Sequence, residues 1–129
     1  MGFIYDPSRP REDSKVMYHY RLPDIPGKTI VGIYTVLPPN GATPPHTHKN
    51  APITSYVVSG AYRGGLNDEE SFIKVASQGW IEDSSVHVTR SENPSKTEPA
   101  IFLSTVIIDT ELYEREGDDC LYKIDPPYH

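Results

Sequence analysis

The chain has 129 residues and a formal net charge of −6, with 36% hydrophobic residues, 13 prolines and nine tyrosines. Its length suits one domain, because domains commonly hold roughly 100–200 residues. An acidic chain lacks the basic surface that nucleic acid or an anionic membrane requires, so we expect neither as a partner. The high proline and tyrosine content favours many short strands over a helical bundle.

Cys120 is the single cysteine, so no disulfide can form within the chain. Asp118 and Asp119 precede it and disfavour a reactive thiolate, and we expect Cys120 to be a small packing residue. The N-terminal residues contain no apolar stretch of the kind found in signal peptides, and no run in the sequence has the length that a membrane helix requires. We therefore expect a cytoplasmic protein.

The N-terminal residues 1–15 are polar and contain prolines. This composition predicts an extended arm, solvated together with the basic residues such as Arg9 that it carries. A single domain of residues 16–129 is expected to follow.

Alternation at 15–22, β-branched and aromatic residues at 28–37 and a near-continuous apolar run at 100–108 predict strands, as do shorter segments between them. The first, at 15–22, would place Val16, Tyr18 and Tyr20 on one face. Further strands are expected at 28–37, 53–58, 71–76, 80–82, 86–89, 100–108 and 120–124. Residues 61–63 could continue the strand at 53–58. A hairpin turn is expected at 64–70 and a helical turn at 111–116. Short strands separated by proline and glycine predict an all-β sandwich or barrel.

Two histidines, His46 and His48, stand one residue apart behind a Pro-Pro pair. On an extended backbone residues i and i+2 point to the same face, so the two imidazoles could bind one metal ion. The rigid prolines reduce the entropy lost in holding both ligands. His87, on a later strand, is the best candidate for a third ligand. A pair of ordinary surface or core histidines is the alternative interpretation.

The residues around this pair resemble a known family. The run Gly41-x4-His46-x-His48-x4-Ile53-x6-Gly60 is similar to the first motif of the cupins, and residues 79–87 are similar to the second. The resemblance spans about residues 28–108 and implies a cupin jelly-roll β-barrel, also called a double-stranded β-helix. Small cupins often form homodimers, and the strand at 15–22 could cross to a partner.

By position, the resemblance implies that His46, His48 and His87 bind one divalent metal ion, with iron(II) favoured and zinc, nickel or manganese left open. The usual acidic ligand of the first motif is replaced by Ile53, which cannot bind a metal. Three neutral imidazoles would leave the metal's charge uncompensated, so we expect a small, oxygen-rich, anionic substrate.

Five further side chains are candidates for the chemistry around the metal. Glu82 lies two residues after Trp80, and a carboxylate beside an aromatic would have a raised pKa and could act as a general acid or base. An exposed acid at the rim is the alternative, and Trp80 itself could contact the substrate. Tyr56, as a catalytic group, and Tyr34 could line the pocket or pack in the core. Arg63 could bind a substrate carboxylate or lie on the surface.

These features favour a small metal-dependent oxygenase or dioxygenase, because an open all-imidazole site leaves positions for both substrate and dioxygen. A redox-neutral isomerase, cyclase or decarboxylase, with the metal as Lewis acid and Glu82 moving the proton, is an alternative. A jelly roll that only binds a small ligand is another. Acid–base catalysis by Glu82 and the histidines without a metal is a third.

Overall fold

The computed structural model describes residues 2–126 and 128. Met1, Pro127 and His129 lie outside the described residues, and the last two belong to the expected domain 16–129. Within the described residues the chain forms ten strands, one short helix and one 3-10 turn. These are β1 (Asp13–Arg21), β2 (Lys28–Leu37), β3 (His46–Thr47), β4 (Ile53–Ser59), β5 (Ala61–Leu66), β6 (Phe72–Val75), β7 (Gly79–Glu82), β8 (His87–Glu92), β9 (Ala100–Asp109), α1 (Thr110–Glu116), the turn Gly117–Cys120 and β10 (Lys123–Ile124). No helix of this part of the chain has the length and apolarity needed to cross a membrane.

The strands form two antiparallel five-stranded sheets. The first has the order β1-β2-β9-β4-β7 and the second the order β10-β3-β8-β5-β6. Two apolar clusters make up the core, one around Val31 and Val106 and the other around Leu37 and Val57. Cys120 is fully buried in the first cluster, which confirms its expected packing role. The all-β prediction is confirmed.

The predicted strands are present, except that the one expected at 120–124 is reduced to Lys123–Ile124 after the 3-10 turn. Two further differences lie near Gly60. This residue has a φ of +78°, which favours glycine, and it ends β4. The next residues cross to the second sheet as β5, which includes Gly64 and Gly65 and continues to Leu66. The predicted turn at 64–70 therefore begins only after Leu66.

The histidine pair begins on a short strand of its own, β3, which contains His46 and ends just before His48. β3 pairs with β8 and β10 in the second sheet, whereas β4 belongs to the first. The pair therefore faces β4 from the opposite sheet.

A β-bulge between Val16 and Tyr18 corrects the predicted faces of the first strand. Val16 pairs with Ile33, and both line the interior of the fold. After the bulge Tyr18 pairs with Gly32 instead, and Tyr18 and Tyr20 are exposed. One extra residue reverses the side on which later side chains lie, so Val16 does not share a face with the two tyrosines.

The N-terminal arm is packed on the domain, which corrects the prediction of a solvated segment. Tyr5 is buried. The Arg9 side chain is only 15% exposed and donates to Glu92 at 2.6 Å and to the Asn40 carbonyl at 2.9 Å. Composition alone could not predict this, because the partners of Arg9 are remote in sequence.

Candidate functional site

A cavity of about 290 Å³ lies between the two apolar clusters and contains most of the polar side chains that the interior holds. Both sheets contribute to it, since inward residues of β2, β4 and β9 face those of β3, β5 and β8. Its lining includes Thr35, His46, His48, Ile53, Ser55, Tyr62, Trp80, Glu82, Ser91, Phe102, Ser104 and Tyr122.

Both histidines of the pair line this cavity, with their rings 5.0 Å apart. His46 Nδ1 lies 2.7 Å from the Pro44 carbonyl, and His48 Nδ1 lies 3.1 Å from the Leu121 carbonyl. A carbonyl only accepts hydrogen bonds, so both Nδ1 atoms carry the proton. When such a ring is neutral, its Nε2 atom keeps a free lone pair, which is the form in which histidine binds metals.

Glu82 brings a buried carboxylate to the same cavity. It pairs across β4 and β7 with Ile53, so both side chains lie on one face of the first sheet. Trp80 Nε1 donates to Glu82 Oε2 at 2.8 Å. Glu82 Oε1 lies 3.0 Å from His48 Nε2 and has no hydrogen-bond donor when that nitrogen is unprotonated. A proton or a cation between these two atoms would satisfy both.

The pKa shifts of His46 and Glu82 give a neutral imidazole and a carboxylate, two forms that can bind a metal. Burial, reinforced by neighbouring His48, lowers the pKa of His46 to about 4, so this ring is neutral at pH 7. For Glu82, burial acts to raise the pKa, but a proton on His48 Nε2, through its hydrogen bond and charge, and the hydrogen bond from Trp80 outweigh burial, so the pKa lies below its ordinary value. The raised pKa that the sequence suggested is therefore corrected: Glu82 is ionised.

His87 is not brought to the pair. In the register of β3 with β8, His46 faces Val88 and Thr47 faces His87. Directly paired residues share a face of a sheet, so His87 lies on the side opposite to His46. Its side chain is 44% exposed and contacts Asp125 at 2.6 Å. The expected third imidazole is thereby corrected, because the residue at the inward position is the fully buried Val88.

Of the other candidates, Trp80 and Glu82 line the cavity, whereas Tyr34, Tyr56 and Arg63 do not. Tyr56 is 49% exposed. Each of these three lies one residue from an inward position, and the cavity is lined instead by their neighbours Thr35, Ser55 and Tyr62. Strand alternation explains the correction, since Ile53 inward requires Ser55 inward and Tyr56 outward.

The walls of the cavity combine aromatic rings with hydroxyl groups. Tyr62 and Trp80 stack with centroids 4.4 Å apart, and Phe102 packs edge-on against Tyr62 at 5.2 Å. Ser55 and Ser104 share a hydrogen bond of 2.8 Å between their hydroxyls. Sequence reasoning named Trp80 but missed the other four residues; the inward parity of Ile53 could have identified Ser55, but no local signal marks Tyr62 or Ser104.

The lining is acidic. Besides Glu82 it contains Glu12, whose carboxylate accepts hydrogen bonds from Thr43 and Tyr122 at 3.0 and 3.2 Å, and the exposed Asp118 and Asp119. Among the described residues no lysine or arginine lines the cavity. Arg11 pairs with Glu12 at 3.0 Å, and the anionic substrate that the sequence suggested stays a prediction.

The donor set fits a divalent metal in its chemistry. Two oriented imidazole nitrogens and one ionised carboxylate form the 2-His-1-carboxylate combination, and Glu82 Oε1 is the buried oxygen that needs a donor or a cation. Within residues 2–126 and 128, no group of three His, Cys, Asp or Glu side chains is close enough together to hold a metal ion. His46, His48 and Glu82 would therefore have to adjust to bind an ion together.

No protein-family model matches the chain, and no curated protein matches its sequence. Solved structures match its fold. The cupin domain of Schizosaccharomyces pombe Cnp3 is 15% identical with a TM-score of 0.63, over 91% of this chain and 71% of that chain. A double-stranded β-helix protein from Klebsiella pneumoniae is 19% identical with a TM-score of 0.63, over 85% of this chain and 93% of that chain.

An enzyme is among the matches. The formate complex of oxalate decarboxylase from Lactobacillus farciminis is 20% identical with a TM-score of 0.54. The match covers 65% of this chain and 27% of that chain, so the present chain corresponds to about a quarter of the enzyme. At these identities the comparisons show the fold: the chain has the cupin double-stranded β-helix, as its motifs predicted.

Proposed function

We propose that this cupin-fold chain is a small metal-dependent enzyme in which His46, His48 and Glu82 hold one divalent metal ion. The observation that carries the proposal is the position of Glu82. The first motif lacks its acidic ligand at Ile53, and the residue directly across from Ile53 on the adjacent strand is Glu82. Compared with the usual motif, the carboxylate therefore lies on β7 instead of β4, and it still contacts His48.

With iron(II) bound, a 2-His-1-carboxylate set supplies the chemistry of dioxygen activation, so we propose an oxygenase. The residues of this chain prepare that site. Backbone carbonyls hold His46 and His48 in the ligating tautomer. Trp80 holds one oxygen of Glu82 and leaves the other free to bind. The lone carboxylate balances one of the two charges of the metal.

The cavity supports an uncharged substrate. Its volume of about 290 Å³ is at the small end of ligand pockets, which span roughly 300–1,000 Å³, and suits a molecule of about one ring. Trp80 and Phe102 offer an apolar surface for a flat body. Ser55 and Ser104 offer hydroxyls that can donate to or accept from its oxygen atoms. Their mutual hydrogen bond can be exchanged for one to the substrate.

A carboxylate-for-carboxylate exchange tests the metal site. Glu82→Ala should weaken binding of iron(II) or manganese(II) at least about 100-fold, since loss of a hydrogen-bond partner behind a ligand already costs about 10–100-fold. Ile53→Glu in the same chain returns a carboxylate to the opposite strand and should restore most of the affinity. Elemental analysis of the purified protein and calorimetric titration with each metal measure both effects.

The matched control is Asp119→Asn, which removes an exposed carboxylate from the same lining and should leave metal affinity unchanged. Wild-type protein that binds neither metal, or a Glu82→Ala variant that binds as tightly as wild type, would contradict the proposal. Thermal unfolding of each variant in a chelator shows whether the fold is intact.

A second function is favoured by the direct contact of Glu82 with His48 at 3.0 Å. This pair could move a proton in a metal-independent isomerisation, cyclisation or decarboxylation. Dialysis against a strong chelator separates the two functions once a substrate is in hand. Turnover that survives complete removal of the metal, without oxygen uptake, assigns the acid–base function and refutes the oxygenase.

A further inference from the structure

An arginine-rich cluster lies on the outward face of the second sheet, outside the cavity. Arg63 on β5 pairs directly with Glu92 on β8. Tyr62 and Ser91, the residues just before them, line the cavity, so Arg63 and Glu92 lie on the opposite side of the sheet. Arg90 contacts Glu92 and therefore belongs to the same outward face.

Glu92 has charged partners on both of its carboxylate oxygens. Arg9 of the N-terminal arm donates to Oε1 at 2.6 Å, and Nε of Arg90 donates to Oε2. Arg63 is the cross-strand neighbour of Glu92 but is not paired with it, and within the described residues no ion pair includes Arg63. We define the arginine cluster as Arg9, Arg63, Arg90 and Glu92.

The arginine cluster carries an excess of positive charge. Three guanidinium groups face one carboxylate, which leaves two positive charges uncompensated. The side chains of Glu92 and Arg90 are only 8% and 24% exposed, and Arg63 is partly buried. The exposed Asp6 lies in the turn before Arg9, where water and salt screen its charge. Like charges that are partly buried repel more strongly than in water, so a bound anion would stabilise the cluster.

Two of the three arginines have donors to offer. Arg9 uses all three of its nitrogen atoms on the protein. Arg90 uses Nε alone, and its guanidinium packs on the ring of Phe3 with Cζ 4.3 Å from the centroid, which fixes its position. Nε of Arg63 is enclosed and has no hydrogen-bond partner within residues 2–126 and 128. The Nη groups of Arg63 and Arg90 also donate to none of these residues.

The sheet brings these two arginines together. Arg63 and Arg90 are diagonal neighbours on β5 and β8, a separation that long side chains span. Gly65 pairs with Arg90, and a Cβ atom at Gly65 would lie 2.9 Å from Cβ of Arg90. The missing side chain lets the stem of Arg90 lie close to β5. Both guanidinium groups can therefore bind one ligand.

We propose that Arg63 and Arg90 bind a phosphate group, either free phosphate or the monoester of a small molecule. A phosphate group carries about −1.5 to −2 charges at pH 7, which matches the uncompensated charge of the arginine cluster. Planar guanidinium groups bind phosphate oxygens in pairs of charge-assisted hydrogen bonds. A carboxylate would compensate only half of the excess. The proposal does not rest on the proposed metal chemistry.

Calorimetric titration at low salt with inorganic phosphate, phenyl phosphate and acetate tests the site. Wild-type protein should bind phosphate with a Kd below about 1 mM and at least about 10-fold more tightly than acetate. Arg63→Gln and, separately, Arg90→Gln should each weaken this binding at least about 10-fold, because each removes one charged donor group. Binding of both phosphates supports a monoester as the ligand, and binding of inorganic phosphate alone supports the free ion.

Arg115→Gln is the matched control, since it makes the same charge change at a side chain that is 62% exposed on α1. It should leave the affinity unchanged, as should dialysis of wild-type protein against a chelator, because the cluster needs no metal. Thermal unfolding checks the fold of each variant. The proposal is overturned by wild-type protein that binds neither phosphate, by Arg63→Gln protein that binds as tightly as wild type, by equal weakening in Arg115→Gln, by equally tight acetate, or by loss of binding with the chelator.

Discussion

Arg9→Ala should destabilise the protein far more than an average surface substitution. The side chain is 15% exposed, and its Nη1 atom donates to Glu92 at 2.6 Å. The same guanidinium donates to the carbonyls of Asn40, Gly41 and Asn93 at 2.9, 3.2 and 3.4 Å. Alanine removes all of these donors and leaves the buried Glu92 carboxylate with one cationic partner fewer.

The structure sets the magnitude. Removal of one partner of a buried ion pair costs about 3–5 kcal/mol when the other charge is left alone. Arg90 still contacts Glu92, so we expect a smaller loss of about 2–3 kcal/mol. At an unfolding entropy of about 2.1 cal/mol/K per residue, a 129-residue chain has roughly 0.27 kcal/mol/K, and the melting temperature should fall by about 9 °C.

Differential scanning calorimetry measures this shift, and Arg21→Ala is the control. Arg21 is 72% exposed and pairs with the exposed Glu114, so its loss should cost about 0–1 kcal/mol. Equal shifts for the two variants, or a fall of less than about 3 °C for Arg9→Ala, would show that the arm is not held as described.

Three further outcomes are expected. Trp80→Phe keeps an aromatic ring but removes the donor to Glu82, and metal affinity measured by titration should fall about 10–100-fold; unchanged affinity would contradict the orienting role. Gly60→Ala should lose at least about 3 kcal/mol in urea unfolding, because φ is +78° and a Cβ would lie 2.4 Å from the Pro99 carbonyl oxygen. Gly117→Ala, with φ +69° but no atom within 4 Å, should lose only about 1 kcal/mol. In ligand-observed NMR, phenol should bind the cavity more tightly than benzoate, and the reverse order would refute the uncharged-substrate proposal.

Local sequence patterns predicted the fold well. The Thr, Ile, Val and Tyr residues of 28–37 and the near-continuous apolar run 100–108 identified β2 and β9, because β-branched and aromatic residues favour strands. The spacing of Gly41, His46, His48 and Gly60 indicated the cupin fold. These signals are contained within one or two strands each and need no knowledge of the partners.

The corrections at the site come from two causes that a single strand does not reveal. The first cause is which of the alternating residues of a strand face inward. The loop before β8 sets this for β8, so Val88 faces inward and His87 faces outward. A shift of one position along the loop would reverse this outcome. The bulge at Val16 acts in the same way on β1.

Pairing between strands is the other cause. The sequence by itself determined that Gly41–Gly60 holds two histidines and that its acidic ligand is missing at Ile53. It could not show that Glu82 stands opposite Ile53, since only the register of β4 with β7 joins these remote residues. The tertiary structure decided which carboxylate reaches the histidines, because cross-strand neighbours are set by the pairing of the whole sheet rather than by local preference.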